Sequence, residues 1–113
     1  MNNKRFNWLV EQRCETIKKV LLKKAEEYAG DEERLHNFKI AGRKRAITPE
    51  EALMGMKLKH TVSLEDIVDG INKGKIPNEE MFLEKITDEI NYWILLEALV
   101  TERIEQTKTI KPF

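Results

Sequence analysis

The chain has 113 residues, of which 20 are basic and 20 are acidic, so its formal net charge at pH 7 is zero. A domain that binds nucleic acid electrostatically is usually clearly basic, so nucleic acid is not an expected partner. No apolar run reaches the length of a membrane span, and the single cysteine excludes an intramolecular disulfide and an all-cysteine zinc site.

Turn-forming residues are scarce, since the chain holds only 5 Gly and 3 Pro. This scarcity favours a few long helices, and the length is that of one domain. The sequence therefore predicts a single all-α domain over residues 1–113, like a four-helix bundle, with three long helices and one short one. Its ordered helical core is expected over about 5–105. The N-terminal MNNKRFNW lacks a signal-peptide core, so a soluble, cytoplasmic protein is expected.

The first predicted helix covers residues 5–29. Its apolar side chains recur at three- and four-residue steps and so share one helical face: Phe6, Val10, Cys14, Ile17, Leu21, Ala25 and Tyr28. Because Cys14 lies on this stripe, it is predicted to be a small buried hydrophobe and not a nucleophile. Gly30 is expected to stop the helix.

A short helix is predicted next, in ERLHNFKIAG, ending near Gly42. The start of the third helix is marked by Thr48 as cap, Pro49 in the first helical position and Glu51 three residues after the cap. This is the pattern of a capping box, and the helix is expected to run to about Gly70. Its apolar stripe comprises Leu53, Met56, His60, Leu64, Ile67 and Ile71.

The last helix follows the loop NKGKIP. Asn78 is predicted to cap it, and Glu79 and Glu80 favour its start through the helix dipole. It is expected to continue to about Glu105, with a tail over 107–113. Its middle is apolar on more than one side, and a short chain buries a small fraction of its surface. A homo-oligomer is therefore expected.

Acidic residues line one face of this last helix. Glu84 and Asp88 are four residues apart, and Asn91 extends the row by a further turn. Two like charges at that spacing destabilise a helix slightly, and a divalent cation would offset the repulsion. Mg²⁺ commonly takes one or two carboxylates together with waters and phosphate oxygens. The alternative is a solvated acidic helix start that the dipole favours.

A second acidic group lies in SLEDIVDG, at Glu65, Asp66 and Asp69. In an antiparallel hairpin with a short loop, the end of one helix lies near the start of the next. Asp66 or Asp69 could then meet Glu84 and Asp88, and four carboxylates that converge from two helices indicate a metal site. The alternative is that these acids are exposed.

Other polar residues could serve a phosphorylated ligand. Lys59 lies on the face that leads to the acids and could hold a phosphate as a point charge. His60, on the apolar stripe, is either a core histidine or a ligand-binding group. Asn37, in the short helix, could close over a pocket or act as a cap or turn contact. Because no Gly-rich phosphate loop is present, a metal and lysines would have to hold the phosphate.

Five spaced motifs occur in order between residues 23 and 103: K-x-x-E-Y, R-L-x-N-F, T-P-E-E, K-H-x-x-S and D-x-I-N-Y. They resemble a family of small phage proteins related to the nucleotide-modification-associated domain. The more distant resemblance is to the MazG and dimeric dUTPase group of all-α nucleoside triphosphate pyrophosphohydrolases. Those enzymes hold Mg²⁺ with two acidic motifs on consecutive helices, EExxE and ExxD. Here Glu65, Asp66 and Asp69 imitate the first, while Glu84 and Asp88 imitate the second with one extra residue between them.

The resemblance implies an Mg²⁺-dependent nucleotide-binding protein of phage type, and a pyrophosphohydrolase activity is left open. The implied metal ligands are Asp66, Asp69, Glu84 and Asp88. The implied nucleotide-binding residues are Lys59, His60, Asn37, Phe38, Asn91 and Tyr92. The alternative function is that of a non-enzymatic phage accessory protein. Such a protein would sequester a nucleotide signal, or inhibit a host defence complex, of the CRISPR type or another, by protein contact.

Overall fold

The computed structural model describes residues 1–27 and 33–109, with side chains described for 1–23 and 33–108. Its four helices are α1 (Asn3–Glu27), α2 (His36–Arg45), α3 (Pro49–Asn72) and α4 (Glu79–Thr109). The described ranges contain no strand, so the predicted all-α class with one short and three long helices is confirmed. Within these ranges no helix is both long enough and apolar enough to cross a membrane.

The chain divides into two compact units, Met1–Arg34 and Leu35–Phe113. In the described part of the first unit, α1 is the only helix, so its apolar stripe has no second helix of that unit to pack against. Phe6 is 57% exposed and Cys14 is also exposed. The prediction that Cys14 is buried is therefore wrong. The predicted stop at Gly30 lies outside the described residues.

The second unit begins with a tight corner between α2 and α3. Gly42 lies so close to the next helix that a Cβ added there would be 2.8 Å from the carbonyl oxygen of Ile47. The Ile47 N–H donates to the Gly42 carbonyl at 2.9 Å, and Ala46 takes the left-handed conformation, with φ 55° and ψ 43°. Thr48 then caps α3, because its hydroxyl accepts the Glu51 N–H at 3.1 Å. The predicted cap is confirmed.

Several helix ends differ from the sequence-based expectation. α2 begins at His36, three residues after the predicted start at Glu33. α2 continues past Gly42 to Arg45, because that glycine serves the close approach of α3 and does not end the helix. α4 continues past Glu105 to Thr109. No glycine or proline interrupts this segment, and the Thr107 hydroxyl donates to the Arg103 carbonyl at 3.0 Å within the helix.

Helices α3 and α4 form an antiparallel hairpin. Asn78 caps α4 as predicted, since its side-chain oxygen accepts the Met81 N–H at 2.9 Å. Leu53 of α3 is completely buried, and burial of a leucine side chain contributes about 1.5–3 kcal/mol. The core around it consists of buried Leu35, Phe38, Leu53 and Leu99, with Met56, Tyr92, Leu95 and Leu96 packed against them. This core packs α2 against the hairpin, and the hairpin carries the candidate site.

Candidate functional site

A cleft lies between α3 and α4 in the half of the hairpin nearer its loop. The cavity has a volume of about 270 Å³, and its lining residues are Lys59, His60, Ser63, Met81, Glu84, Lys85 and Asp88. Helical periodicity explains the set, because the α3 residues and the α4 residues each recur at steps of one, three or four. The structure thus brings four of the predicted site residues into one cavity: Lys59, His60, Glu84 and Asp88.

The cleft holds charged groups of both signs, and its α4 wall alone carries Lys85, Glu84 and Asp88. Lys59 and Lys85 supply two ammonium groups, and Glu84 and Asp88 supply two carboxylates. Nδ1 of His60 lies 3.7 Å from a carboxylate oxygen of Asp88, a distance at which a protonated imidazole would form an ion pair. The Asp88 side chain remains 42% exposed, whereas that of His60 is 19% exposed. A ligand in the cleft would therefore meet both cationic and anionic groups.

A chain of aromatic contacts connects the cleft with the core. The His60 ring is tilted against the Tyr92 ring with the centroids 5.0 Å apart. Tyr92 in turn meets Phe38 of α2 edge-on, with 6.4 Å between centroids. Burial raises the pKa of the Tyr92 phenol, and the negative charge of Asp88 raises it further. Phe38 and Tyr92 therefore support the imidazole from the core side and do not line the cavity.

A buried polar triad lies beside the cleft. The Lys57 ammonium donates to Glu89 Oε1 at 2.6 Å and to Thr61 Oγ1 at 2.7 Å. The Thr61 hydroxyl donates to the same carboxylate at 2.9 Å. Only 5% of the Lys57 side chain is exposed, and its ammonium lies 4.1 Å from the centre of the Trp93 ring. These hydrogen bonds and the ion pair connect α3 with α4 inside the interface between the two helices.

Sequence reasoning missed this triad. The sequence position of Lys57 indicates that it is buried, because Lys57 comes one turn after Leu53 and so falls on the buried face of α3. A lysine on a buried face requires an acceptor from another element. Glu89, 32 residues later, could not be recognised as that acceptor without the hairpin register.

The predicted acids of α3 are separate from the cleft. Asp66 and Asp69 are exposed and do not line the cavity that contains Glu84 and Asp88. Over the described ranges, no group of three or more His, Cys, Asp or Glu side chains is arranged to hold a metal ion. Any metal bound beside Glu84 and Asp88 would need ligands from the substrate and from water.

The predicted asparagines have different surroundings. Asn37 is exposed on the first turn of α2. Asn91 is only 4% exposed, and its side-chain oxygen accepts no hydrogen bond from the described part of the chain. A buried carbonyl oxygen without a donor is uncommon in native structures, and an ordered water or a ligand usually accounts for it.

A second cavity, of about 350 Å³, lies at the opposite end of the hairpin. Two of its basic side chains are already neutralised. Arg103 donates two hydrogen bonds to the carboxylate of Glu50, at 2.9 and 2.8 Å, and Lys39 pairs with Glu102. The hydrogen bond from Arg103 also lowers the pKa of Glu50. These bonds tie helices together and leave less charge for a ligand than the first cleft offers.

No family model, no curated protein and no solved structure matches the chain.

Proposed function

We propose that the protein binds a nucleotide together with Mg²⁺ in the cleft between α3 and α4. The observation that carries this function is the presence of two ammonium groups and two carboxylates around one cavity. Glu84 and Asp88, one turn apart on α4, match the one or two carboxylates that proteins commonly give to Mg²⁺, with phosphate oxygens and waters as the remaining ligands. Lys59 and Lys85 would neutralise the phosphates as point charges.

The charge of the hairpin supports a metal-dependent mode of binding. α3 and α4 together carry thirteen acidic and five basic side chains. A free nucleoside triphosphate is strongly negative and is repelled by such a surface. A bound divalent cation reduces the charge of the phosphates and of the two cleft carboxylates at once, so the metal and the nucleotide should bind together.

Neighbouring residues have distinct roles in this binding mode. His60, which lines the cavity, would contact the base or sugar, and Tyr92 would hold the His60 ring in place from the core side. The unpaired side-chain oxygen of Asn91 would accept a hydrogen bond from an N–H or O–H of the ligand or of a bridging water. Phe38 would support His60 indirectly, through its contact with Tyr92, because neither Asn37 nor Phe38 of α2 lines the cavity. The metal is assigned to Glu84 and Asp88 alone, because Asp66 and Asp69 do not line the cavity.

Hydrolysis would be a further property of the same site. Attack of water on the α-phosphate would release a nucleoside monophosphate and pyrophosphate. His60 lines the cleft with Nδ1 3.7 Å from Asp88, and its imidazole is the cleft side chain suited to accept the proton of that water. If water is not activated, the protein would sequester the nucleotide instead.

Binding and hydrolysis can be separated in one experiment. Calorimetry with each common nucleoside triphosphate and Mg²⁺ measures binding, and a parallel assay follows pyrophosphate release. Lys59→Met and Asp88→Asn should each weaken binding, whereas Glu97→Gln, an exposed acid of α4 outside the cleft, should leave it unchanged. Binding without pyrophosphate identifies a sequestering protein. Absence of binding by the wild type rejects the proposed function.

A protein-binding role is favoured by a separate observation, an exposed apolar surface on the hairpin. Leu58 is 61% and Trp93 is 46% exposed. Other exposed apolar residues recur at helical steps along the same two helices: Met54, Val62, Val100 and Ile104. Clusters of exposed apolar side chains often mark protein interaction sites. Self-association through this surface, or contact with a host defence protein, would cover it.

Self-association is tested by sedimentation at high micromolar concentration. The wild type should form a dimer or larger oligomer, and Leu58→Glu should shift it toward monomer because a charge would enter the apolar contact. Glu65→Gln on α3 provides a matched control that leaves the apolar surface intact. A wild type that sediments as a monomer would contradict self-association and leave a different protein partner as the occupant of this surface.

A further inference from the structure

Two members of the triad formed by Lys57, Thr61 and Glu89 are sequence neighbours of cleft residues. Thr61 follows His60 on α3, and Glu89 follows Asp88 on α4. The bond between the Thr61 hydroxyl and Glu89, at 2.9 Å, therefore joins the two backbone segments that carry His60 and Asp88. Lys57 completes the connection with its own bonds to both partners.

We infer that the buried ion pair of Lys57 and Glu89 fixes the register of α3 against α4 and thereby positions His60 and Asp88 across the cleft. The inference rests on the proposed function as far as ligand binding is concerned. Neither Lys57 nor Glu89 lines the cavity, so both are positioning residues and not ligand contacts.

The physical reason lies in the difference between apolar and polar contacts. Apolar burial is non-directional, and a hairpin lined by Leu, Ile and Met could exchange one set of contacts for another. A slide of one residue along a helix shifts side chains by about 1.5 Å and rotates them by about 100°. The bonds of 2.6 and 2.7 Å to Lys57 would then be broken. A buried ammonium without a partner is strongly disfavoured, so only the observed register is allowed.

The test replaces the pair by apolar residues of similar size, in the double variant Lys57→Met/Glu89→Leu. Such replacements of a whole buried pair often preserve or increase stability, so the variant is expected to fold. The contact between the His60 and Tyr92 rings, with centroids 5.0 Å apart, reports the register. The chain has only two histidines and two tyrosines, so nuclear Overhauser effects between these rings can be assigned.

We expect the His60–Tyr92 Overhauser effect to be lost or strongly weakened in the double variant while its melting temperature is retained. Affinity for Mg²⁺ and nucleotide should fall about tenfold or more, because small misplacements of site groups are costly. The matched control is Glu50→Gln/Arg103→Met, which removes the exposed ion pair between the same two helices. It should keep both the ring contact and the affinity.

A double variant that keeps the ring contact would overturn the inference, because the apolar contacts alone would then set the register. If the variant does not fold, the exchanged pair Lys57→Glu/Glu89→Lys is the second test. It should restore the fold and the ring contact, and a folded exchange variant without that contact would also contradict the positioning role. The ring contact is measured without nucleotide, so failure of the proposed function would appear separately, as absence of binding by the wild type.

Discussion

Ala46, at the corner between α2 and α3, occupies a backbone conformation that suits glycine better. Its φ of 55° and ψ of 43° lie in the left-handed region, where a Cβ approaches the following carbonyl oxygen and costs about 1–2 kcal/mol. Ala46 keeps this conformation because the chain turns sharply here. Gly42 allows the start of α3 to approach α2 closely, and the Ile47 N–H donates a hydrogen bond to the Gly42 carbonyl.

Ala46→Gly should therefore stabilise the fold, by up to about 1 kcal/mol after the greater entropy of glycine in the unfolded chain is subtracted. The measurement is the midpoint of urea unfolding. Ala41→Gly, inside α2, is the matched control and should lower stability by about 1 kcal/mol. A lower midpoint for Ala46→Gly than for the wild type would show that the Cβ of Ala46 makes contacts worth more than the strain.

Local signals at single residues were readable from the sequence, whereas burial was not. The caps Thr48 and Asn78 are predictable because a cap depends on a side chain and a backbone amide three residues away. Cys14 was expected to be buried because it lies on an apolar stripe, yet exposure depends on whether another element covers that stripe. The position of Lys57 after Leu53 indicates a buried face, but its acceptor Glu89 lies across the hairpin and is not predictable from local spacing.

At the scale of the elements, the α3–α4 hairpin is held by carboxylates that must remain ionised. Burial alone would raise the pKa of Glu89, but hydrogen bonds from Lys57 and Thr61 outweigh it, and the pKa falls below the ordinary 4.5. Because the folded-state pKa is lower than the unfolded value, ionised Glu89 stabilises the fold above the unfolded pKa. This contribution is lost as the pH falls through the folded pKa.

The melting temperature of the wild type should accordingly fall as the pH drops below the ordinary Glu pKa of 4.5 and through the lower folded-state pKa of Glu89. Glu89→Gln should melt lower than the wild type at pH 7, since the Lys57 charge loses its partner, but it should lose less on acidification. Circular dichroism melts across this range provide the measurement. Glu97→Gln, an exposed control, should follow the wild-type curve. Parallel curves for the wild type and Glu89→Gln would contradict the depressed pKa.

The number and order of the helices are the features of the elements most predictable from the sequence, and the residues at which helices end are less predictable. The starts of α3 and α4 have strong capping signals, but the ends of α2 and α4 were predicted too early. Gly42 resembles a helix stop in the sequence, and only the approach of α3 shows its use. The packing of α3 on α4 follows from the short loop between them, although their register does not.

At the scale of the whole molecule, the sequence predicted much of the cleft but not its full composition. Motif spacing predicts Lys59, His60, Glu84 and Asp88 as site residues, and the hairpin brings them together. Motif spacing also predicts Asp66 as a site residue, and Asp66 does follow Ser63 by three residues on the same helical face. It is nevertheless exposed and does not line the cavity. Spacing along one helix determines which residues share a face, whereas how far the cleft extends along that face depends on packing across the hairpin.

The central claim is that Glu84 and Asp88 bind Mg²⁺ and nucleotide together. Without ligand they hold two like charges one turn apart, which disfavours the helix slightly. Asp88→Asn removes one of these charges. Among the described residues, the ion pair that this change affects is the one with His60, at 3.7 Å. At a pH where His60 is neutral, the variant should therefore melt at the same temperature as the wild type or higher.

The most direct measurement is thermal melting of the wild type and Asp88→Asn, each with Mg²⁺, with a nucleoside triphosphate, with both and with neither. A ligand that binds only the folded state stabilises it by about 2.7 kcal/mol at 100 times its Kd, so the shift in melting temperature reports affinity. We predict a clear rise for the wild type with Mg²⁺ and nucleotide together, and a much smaller rise for Asp88→Asn. A wild type that shows no shift with any common nucleotide, with or without metal, would contradict the claim.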